Sequence, residues 1–335
     1  MEQKNKFRMW HLPVLVVLMV GTVMIIMKKQ SPEADYHLKE GMVFGTSYHI
    51  KYQSQRPLDA EIEVAMAEVD GSLSMFNPNS TISRINRGED MHTDSLLDTV
   101  WALSQEVCAA TDGAFDPTCA PLINAWGFGF KHEVLPDSAT VDSLLAFVGW
   151  QRIHFADGIC QKEDPRMILD FSAIAKGFGV DQVARMLVNH GVKNYMVEIG
   201  GEVVAHGVNE KGNIWRIGIN KPTEDSTSQN NELQETFQME DCAVATSGNY
   251  RNFYINGGRK IAHTIDPHSG YPVQHSLLSS TVWAPTCAMA DAYATAFMVL
   301  GVERAKEVVA ANPQLRAYLI YADEKGDNQI LRLGN

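Results

Sequence analysis

Residues 164–180 of the chain read Asp-Pro-Arg-Met-Ile-Leu-Asp-Phe-Ser-Ala-Ile-Ala-Lys-Gly-Phe-Gly-Val, and we expect the fold to form around them. An apolar run at residues 167–169 leads into Asp170 and Ser172, which is typical of a strand that ends at a polar turn. A turn of small residues follows and carries Lys176, after which apolar side chains recur with a period near 3.6. The stretch therefore predicts a strand, a tight turn and the start of a helix.

This arrangement suits the binding of an anion or a metal ion. Free backbone N–H groups at a helix start and the nearby Lys176 attract phosphate, while Asp170 and a bare carbonyl in the turn attract a cation. The alternative interpretation is that Asp170 and Ser172 only cap the helix and that Lys176 is solvated. The stretch by itself leaves both interpretations open.

The composition of the whole chain excludes some classes of function. Its 335 residues are enough for one large domain or two moderate ones, and the apolar content is that of a globular protein. The formal net charge of −12, without a dense run of Lys and Arg, argues against nucleic acid as a partner. The five cysteines are widely scattered, so we expect buried thiols and neither a zinc cluster nor a disulfide framework.

The N-terminus has the pattern of a membrane segment. Three basic residues among the first eight precede an almost uninterrupted apolar stretch at residues 12–27. A cleavable signal peptide is the alternative, but the end of the apolar stretch lacks the small residues of a cleavage site. We expect an uncleaved signal-anchor at residues 1–29, a polar linker at 30–40 and an exported domain at 41–335.

The rest of the chain predicts mixed α and β structure. Residues 41–53 alternate in the manner of a first strand, and residues 95–111 have the apolar period of an amphipathic helix. Strand patterns at 194–199 and 202–208 are separated by a glycine pair, and the polar stretch at 223–235 predicts an exposed insertion. Because no internal repeat or regular βαβ alternation is visible, we predict an α+β fold with mixed or antiparallel sheets and packed helices.

A second candidate site lies in an alanine-rich helix predicted over residues 288–297. Asp291 and Thr295 are four positions apart and therefore share one face of that helix. An aspartate that faces inward from an apolar helix needs a partner, and carboxylate and hydroxyl oxygens suit a hard cation such as Mg²⁺. The alternative is that Asp291 only complements the macrodipole in the first turn, while Thr295 bonds back to a carbonyl.

Nine motifs, taken in order, resemble those of the ApbE family, the FAD:protein FMN transferases. The likeness runs from about residue 41 to the C-terminus. The motifs are Gly45-Thr46, Ser74-Met75-Phe76, Gly113-Ala114-Phe115-Asp116-Pro117, Trp126-Gly127-Phe128-Gly129, Leu169-Asp170-Phe171-Ser172-Ala173-Ile174-Ala175-Lys176-Gly177, Gly200-Gly201-Glu202, Thr246-Ser247-Gly248-Asn249-Tyr250, His263-Thr264-Ile265-Asp266-Pro267 and Asp291-Ala292-Tyr293-Ala294-Thr295.

The resemblance implies an ApbE-like, T-fold-like domain and an Mg²⁺-dependent enzyme that splits FAD. Such enzymes attach the FMN half through a phosphoester to a Ser or Thr hydroxyl of an acceptor protein and release AMP. Typical acceptors are exported or membrane redox proteins, which implies a bacterial inner-membrane protein with a periplasmic catalytic domain. By motif position, Asp291, Thr295 and the Ala173 carbonyl would hold Mg²⁺. The residues that would line the FAD site are Phe44, Phe76, Ala114, Phe115, Asp116, Asp170, Lys176 and Ile265.

The catalytic candidates are Lys176, Asp291 and His263. Phosphoryl transfer needs charge neutralisation on the non-bridging oxygens, which Lys176 and Mg²⁺ held at Asp291 would supply. A histidine titrates near neutral pH, so His263 is the candidate base for the proton of the acceptor hydroxyl. The alternative is that His263 only positions the flavin or the acceptor.

Three positions depart from the family pattern. Phe44 stands where Met commonly precedes Gly-Thr, and Phe76 stands where Tyr is usual, so an apolar flavin contact is kept while Phe76 loses a hydroxyl. By spacing alone, Phe76 could equally close the core. His268 replaces the usual Arg or Lys of the Asp-Pro turn, which weakens a positive contact. Two other functions remain open: an FAD pyrophosphatase that releases FMN and AMP, and a non-catalytic exported FAD-binding protein, which the intact metal motif argues against.

Overall fold

The computed structural model describes residues 34–128, 135–222, 233–249, 253–256 and 259–334, together with position 19. Within them, an eight-stranded antiparallel sheet and the helices packed on it form the predicted α+β fold. In chain order the strands are β1 (Asp35–Val43), β2 (Thr46–Ser54), β3 (Ile153–Ala156), β4 (Ile159–Lys162), β5 (Tyr195–Ile199), β6 (Glu202–His206), β7 (Trp215–Asn220), β8 (Leu233–Met239), β9 (Cys242–Gly248), β10 (Phe253–Asn256), β11 (Arg259–Ala262), β12 (Leu277–Ala284), β13 (Arg316–Ala322) and β14 (Asn328–Leu333).

The order across the large sheet is β1-β2-β5-β6-β9-β12-β13-β14. The remaining strands form three two-stranded ribbons, β3 with β4, β7 with β8, and β10 with β11. The helices are α1 (Asp59–Leu73), α2 (Thr81–Arg87), α3 (Ser95–Ala110), α4 (Ala120–Ala125), α5 (Ser138–Leu145), α6 (Ala175–Asn189) and α7 (Cys287–Ala311).

Helices α6 and α7 form the inner layer on one face of the sheet. Helix α6 packs on β5 and β6, while α7 packs on β9 and β12, and the two helices contact each other. Helix α1 covers α6, and α3 covers α7. Because α7 is enclosed on several sides, its first three turns are apolar almost all round, which explains the run of alanines. The ribbon of β7 and β8 covers the opposite face of the sheet through Trp215, Ile219 and Met239.

The first strand pattern is a hairpin, so the single strand predicted at residues 41–53 is wrong. Val43 pairs with Thr46, which leaves Phe44 and Gly45 as a two-residue turn. Their φ angles are 52° and 75°, as in the type I′ turns whose twist matches that of paired strands. The alternating pattern continued through the turn, and only its backbone geometry reveals the reversal.

The polar linker predicted at residues 30–40 overlaps a strand. Strand β1 begins at Asp35 and lies at the edge of the sheet, beside β2. Most of its side chains are exposed or half-buried, so no apolar alternation marks it in the sequence. The insertion predicted at 223–235 falls mostly outside the described residues, and its last three residues begin β8.

The strand predicted at residues 167–169 is also wrong. This segment belongs to no strand of the described chain. The side chain of Asn86 takes the place of a neighbouring strand: its amide donates to the Leu169 carbonyl at 2.7 Å, and its oxygen accepts the Leu169 N–H at 2.9 Å. One side chain therefore satisfies the backbone that a strand would have paired.

The predicted signal-anchor at residues 1–29 lies outside the described residues, apart from position 19. Among the helices that the structure describes, none is both long enough and apolar enough to cross a bilayer. All five cysteines are free thiols, and four of them are buried, as the scattered spacing predicts.

Candidate active site

The candidate site lies where the N-terminal ends of α6 and α7 approach each other. A Cβ atom added at Gly177 would lie 2.3 Å from the carbonyl oxygen of Cys287, so only glycine permits this approach. In a continuous helix the Gly177 N–H would donate to the Ala173 carbonyl. Here it donates to Asp291 Oδ2 at 3.1 Å, across 114 positions of the chain. The Ala173 carbonyl precedes the N-cap Ile174 and therefore lies outside the hydrogen-bond ladder of α6.

Lys176 lies between two buried carboxylates. Its Nζ is 3.0 Å from Glu202 Oε1 and 3.6 Å from Asp291 Oδ1. The side chains of Glu202 and Asp291 are each 3% exposed, whereas that of Lys176 is 31% exposed. The Lys176 side chain is therefore partly exposed, but its ammonium lies between two buried carboxylates, which excludes the interpretation of Lys176 as a solvated surface residue.

This cluster has more acidic than basic groups. Burial raises the pKa of Glu202 against the attraction of Lys176, and it likewise raises the pKa of Asp291. Burial by itself lowers the pKa of Lys176, but Asp291 and Glu202 outweigh it and the pKa lies above its ordinary value. Glu202 Oε2 is buried and has no hydrogen-bond partner. One ammonium balances only one of two buried carboxylates, so the other is stabilised either by a proton, as the raised pKa values reflect, or by a further cation.

Asp291 and Thr295 occupy one face of α7, as their spacing predicts. Helix α7 begins at Cys287, so Asp291 lies beyond the first turn, and the interpretation that it only complements the macrodipole there is excluded. The hydroxyl of Thr295 lies 3.2 Å from the hydroxyl of Ser247 on β9. Ser247 had no role in the sequence-based prediction beyond its place in a motif.

The oxygens at this point fit a hard divalent cation. Within the described ranges, no group of three or more His, Cys, Asp and Glu side chains is arranged to hold a metal. A metal here would therefore depend on hydroxyl and backbone oxygens as well as on one carboxylate. Asp291 and Thr295 carry a carboxylate and a hydroxyl on one face of α7, and Ala173 carries a backbone carbonyl, and these are oxygen types that Mg²⁺ prefers.

Asp170 connects this site to the loop at residues 113–118. Its N–H donates to the Pro117 carbonyl at 2.7 Å, and its Oδ1 accepts the N–H and the hydroxyl of Ser172 at 2.8 and 2.6 Å. The N-cap of α6 is Ile174, which makes no side-chain capping bond. The interpretation of Asp170 and Ser172 as helix caps is therefore excluded.

Asp116 organises the same loop from inside. Its Oδ1 accepts the N–H and the hydroxyl of Thr118 at 2.8 and 2.6 Å, and its Oδ2 accepts the Trp150 N–H at 3.1 Å. Burial raises the pKa of Asp116 against these hydrogen bonds. Ala114 and Phe115 are also buried, at 3% exposure each. These three predicted flavin contacts thus hold the shape of the loop.

The two predicted aromatic contacts differ in environment. Phe44 lies in the turn between β1 and β2, and a Cβ atom added at Gly179 on α6 would lie 2.6 Å from its ring. Phe76 lies after the end of α1 and is 77% exposed. The interpretation that Phe76 closes the core is therefore excluded.

Ile265 and His263 lie on a separate segment after β11. Ile265 is 5% exposed and packs in an apolar cluster with Leu122 and Trp126. His263 is half-buried, and its ring is 6.2 Å from the ring of Phe128 in an edge-to-face arrangement. The structure therefore holds His263 in place through an aromatic neighbour.

Glu202 is the member of the charged cluster that sequence reasoning missed. It appeared in a motif after Gly200-Gly201, but no role was assigned to it. The available signal was an acidic residue that directly follows a glycine pair and begins an otherwise apolar strand. A charge at the start of a buried strand needs a partner, and only the folded chain identifies that partner as Lys176.

Comparisons with known proteins show what the whole chain is similar to. The profile described as ApbE family matches residues 44–319. An FAD:protein FMN transferase of Vibrio cholerae is 35% identical over 92% of this chain and 93% of its own length. One of Haemophilus influenzae is 37% identical over 85% of this chain and 86% of its own. The solved flavin transferase ApbE from Vibrio cholerae superposes with a TM-score of 0.80 at 34% identity, covering 90% of this chain and 97% of that one.

Proposed function

Because this chain belongs to the ApbE family, we propose that it transfers FMN from FAD to a Ser or Thr hydroxyl of an acceptor protein and releases AMP. The observation that most strongly supports the proposal is the cluster of Lys176, Glu202 and Asp291 at the meeting of two helix N-termini. Two buried carboxylates against one ammonium favour a divalent cation, and the positive charge of Lys176 at the start of α6 favours a phosphate.

The residues that would hold Mg²⁺ are Asp291, Thr295 and the carbonyl of Ala173. When bound there, Mg²⁺ would neutralise charge on the pyrophosphate oxygens. Lys176 would bind the same group as a point charge, since its ammonium lies beside Asp291, one of the proposed cation ligands. The positive end of the α6 macrodipole would attract the anion, whereas the Ala175 and Gly177 N–H groups already donate to the Phe171 carbonyl and to Asp291.

In the proposed reaction the acceptor hydroxyl oxygen bonds to the phosphorus of the FMN half. The bond between that phosphorus and the bridging oxygen breaks, so AMP leaves with the bridging oxygen. The hydroxyl proton passes to a base, and we propose His263 because a histidine accepts protons near neutral pH. Its edge-to-face contact with Phe128 would fix the orientation of the ring.

The FAD site would extend from this cluster along the neighbouring loops. The exposure of Phe76 supports a stacking role, since a planar ligand can approach a large apolar side chain that faces solvent. Asp116 and Asp170 would keep the loop in shape through the bonds described above. The residues of the proposed FAD site are Phe44, Phe76, Ala114, Phe115, Asp116, Asp170, Lys176 and Ile265.

We also propose that residues 1–29 anchor the chain in the bacterial inner membrane, with the catalytic domain in the periplasm and an exported or membrane redox protein as acceptor. Basic residues before an apolar stretch support that orientation. Alkaline carbonate should leave the full chain in the membrane fraction and extract a chain without residues 1–29. Extraction of both chains would contradict the anchor.

The test of transfer is an incubation of the full chain with FAD, Mg²⁺ and the membrane fraction of the source cell. AMP release is measured by chromatography, and covalent flavin is detected by fluorescence in a denaturing gel, which removes bound FAD. Asp291→Asn should abolish both signals, whereas the matched exposed change Asp98→Asn on α3 should preserve them. AMP and free FMN without a fluorescent protein band would indicate the pyrophosphatase, and FAD binding without AMP would refute catalysis.

A further inference from the structure

Glu202 is held in place by a tight turn. Gly200 and Gly201, between β5 and β6, have φ angles of 66° and 103°, which favour glycine. A Cβ atom added at Gly200 would lie 2.7 Å from Thr46 Cγ2 and 3.3 Å from Glu202 Oε2. The turn therefore leaves little room around the carboxylate, whose side chain is 3% exposed.

The Lys176 ammonium is closer to Glu202 than to Asp291, at 3.0 Å against 3.6 Å. Asp291 is the carboxylate that the proposed function assigns to the divalent cation. Once that cation is bound, the ammonium and the cation repel each other and share Asp291 as a neighbour. Glu202 is then the carboxylate that remains free to balance the ammonium.

We propose that Glu202 is the positioning residue that keeps Lys176 beside the cation site without letting it compete for Asp291. This inference rests on the proposed function for the identity of the cation site. Removal of the Glu202 charge leaves Asp291 as the nearest carboxylate to the ammonium, so Lys176 moves onto Asp291 and opposes cation binding. Glu202 thereby sets the cation affinity through Lys176.

A purely structural role for Glu202 makes a different prediction. If Glu202 only fills the space beneath the turn, Glu202→Gln keeps its shape and leaves cation binding unchanged. Under the proposal the same variant lowers cation affinity, although the metal-free protein keeps its thermal midpoint because Lys176 is still paired with Asp291. Glu202→Gln therefore distinguishes the effect of the Glu202 charge from the effect of its side-chain shape.

The experiment titrates Mn²⁺ into the full chain and follows free Mn²⁺ by electron paramagnetic resonance, so it needs no turnover. We expect Glu202→Gln to weaken Mn²⁺ binding by about tenfold to a hundredfold, which is the usual effect of mutating a residue that supports a metal ligand without touching the metal. Glu202→Asp should retain part of the affinity. The matched control is Glu198→Gln on β5, which accepts the Gly201 N–H of the same turn from its outer side.

Lys176→Gln tests whether Glu202 acts through the ammonium. We expect Lys176→Gln to recover more Mn²⁺ affinity in the Glu202→Gln background than in the wild type, since it removes the competitor for Asp291. The proposal is overturned if Lys176→Gln raises the Mn²⁺ affinity equally in both backgrounds. It is also overturned if Glu202→Gln leaves the Mn²⁺ affinity unchanged while Asp291→Asn abolishes Mn²⁺ binding. If the wild type itself binds no Mn²⁺, the proposed cation site fails and this inference fails with it.

Discussion

The close approach of α6 and α7 predicts that Gly177→Ala damages both stability and activity. The added methyl group would lie 2.3 Å from the Cys287 carbonyl oxygen and 2.9 Å from the Ala288 nitrogen. Both atoms belong to the backbone, so the conflict is not relieved by rotation of a side chain. The helices must separate, which lengthens the hydrogen bond from the Gly177 N–H to Asp291.

Three contributions set the size of the effect. Overpacking of a rigid contact costs about 1 to 3 kcal/mol. Loss of the charged acceptor for a buried N–H costs about 1.5 to 3 kcal/mol. Alanine favours the helix over glycine by about 1 kcal/mol. We therefore expect Gly177→Ala to lower the free energy of unfolding by about 1.5 to 5 kcal/mol.

The matched control is Gly71→Ala in α1, because a Cβ atom at Gly71 meets nothing within 4 Å. The same substitution should there raise the free energy of unfolding by about 0.5 to 1 kcal/mol. Urea denaturation followed by circular dichroism measures both variants, and AMP release from FAD measures activity. Gly177→Ala should reduce AMP release even where it is fully folded, since Lys176 and Asp291 are displaced.

The result that refutes this reasoning is a Gly177→Ala protein with the urea midpoint and the AMP release of the wild type. The contact between α6 and α7 would then accommodate a methyl group, contrary to the 2.3 Å between an added Gly177 Cβ and the Cys287 carbonyl oxygen. A loss of stability with full activity would show that the contact supports the fold and that the geometry of the charged cluster does not depend on it.

Three further predictions concern single side chains. Phe76→Ala should change the free energy of unfolding by less than about 0.5 kcal/mol, because the ring is exposed, yet weaken FAD binding in a fluorescence titration; unchanged affinity would contradict the stacking role. Thr295→Val should raise the Mg²⁺ concentration needed for half-maximal AMP release, whereas Thr295→Ser should not, and equal behaviour would remove Thr295 from the metal site. Asp94→Ala should cost about 1 to 2 kcal/mol at pH 7 through loss of the N-cap of α3. Burial raises the pKa of Asp94, but hydrogen bonds from Thr81 and Leu97 outweigh burial and lower the pKa overall. The stabilisation by Asp94 is therefore present above its unfolded pKa and is lost as the pH falls through its folded pKa. A difference in urea midpoint between Asp94→Ala and the wild type that is equal at pH 7 and pH 2 would refute this.

Elements with a strong local period were predictable from sequence. The apolar spacing in α3 is a property of one helix, and it placed residues 95–111 within one position of the observed bounds. Where tertiary contacts replace a local pattern, prediction failed. The β1–β2 hairpin reverses at Phe44-Gly45 without a break in the alternation of apolar and polar residues. The backbone of Leu169 is hydrogen-bonded by the Asn86 side chain, and a periodic sequence pattern does not indicate such a contact.

The sequence by itself determined that Asp291 and Thr295 face the same way, because helical periodicity acts over four residues. It also indicated that a turn of small residues carries Lys176 and opens a helix. Only the tertiary structure decided that the start of α7 approaches this turn at Gly177 and that Glu202 shares the ammonium. The physical reason is that a buried charge requires a partner but does not specify where in the chain the partner lies, and sheet order and helix packing supply that position.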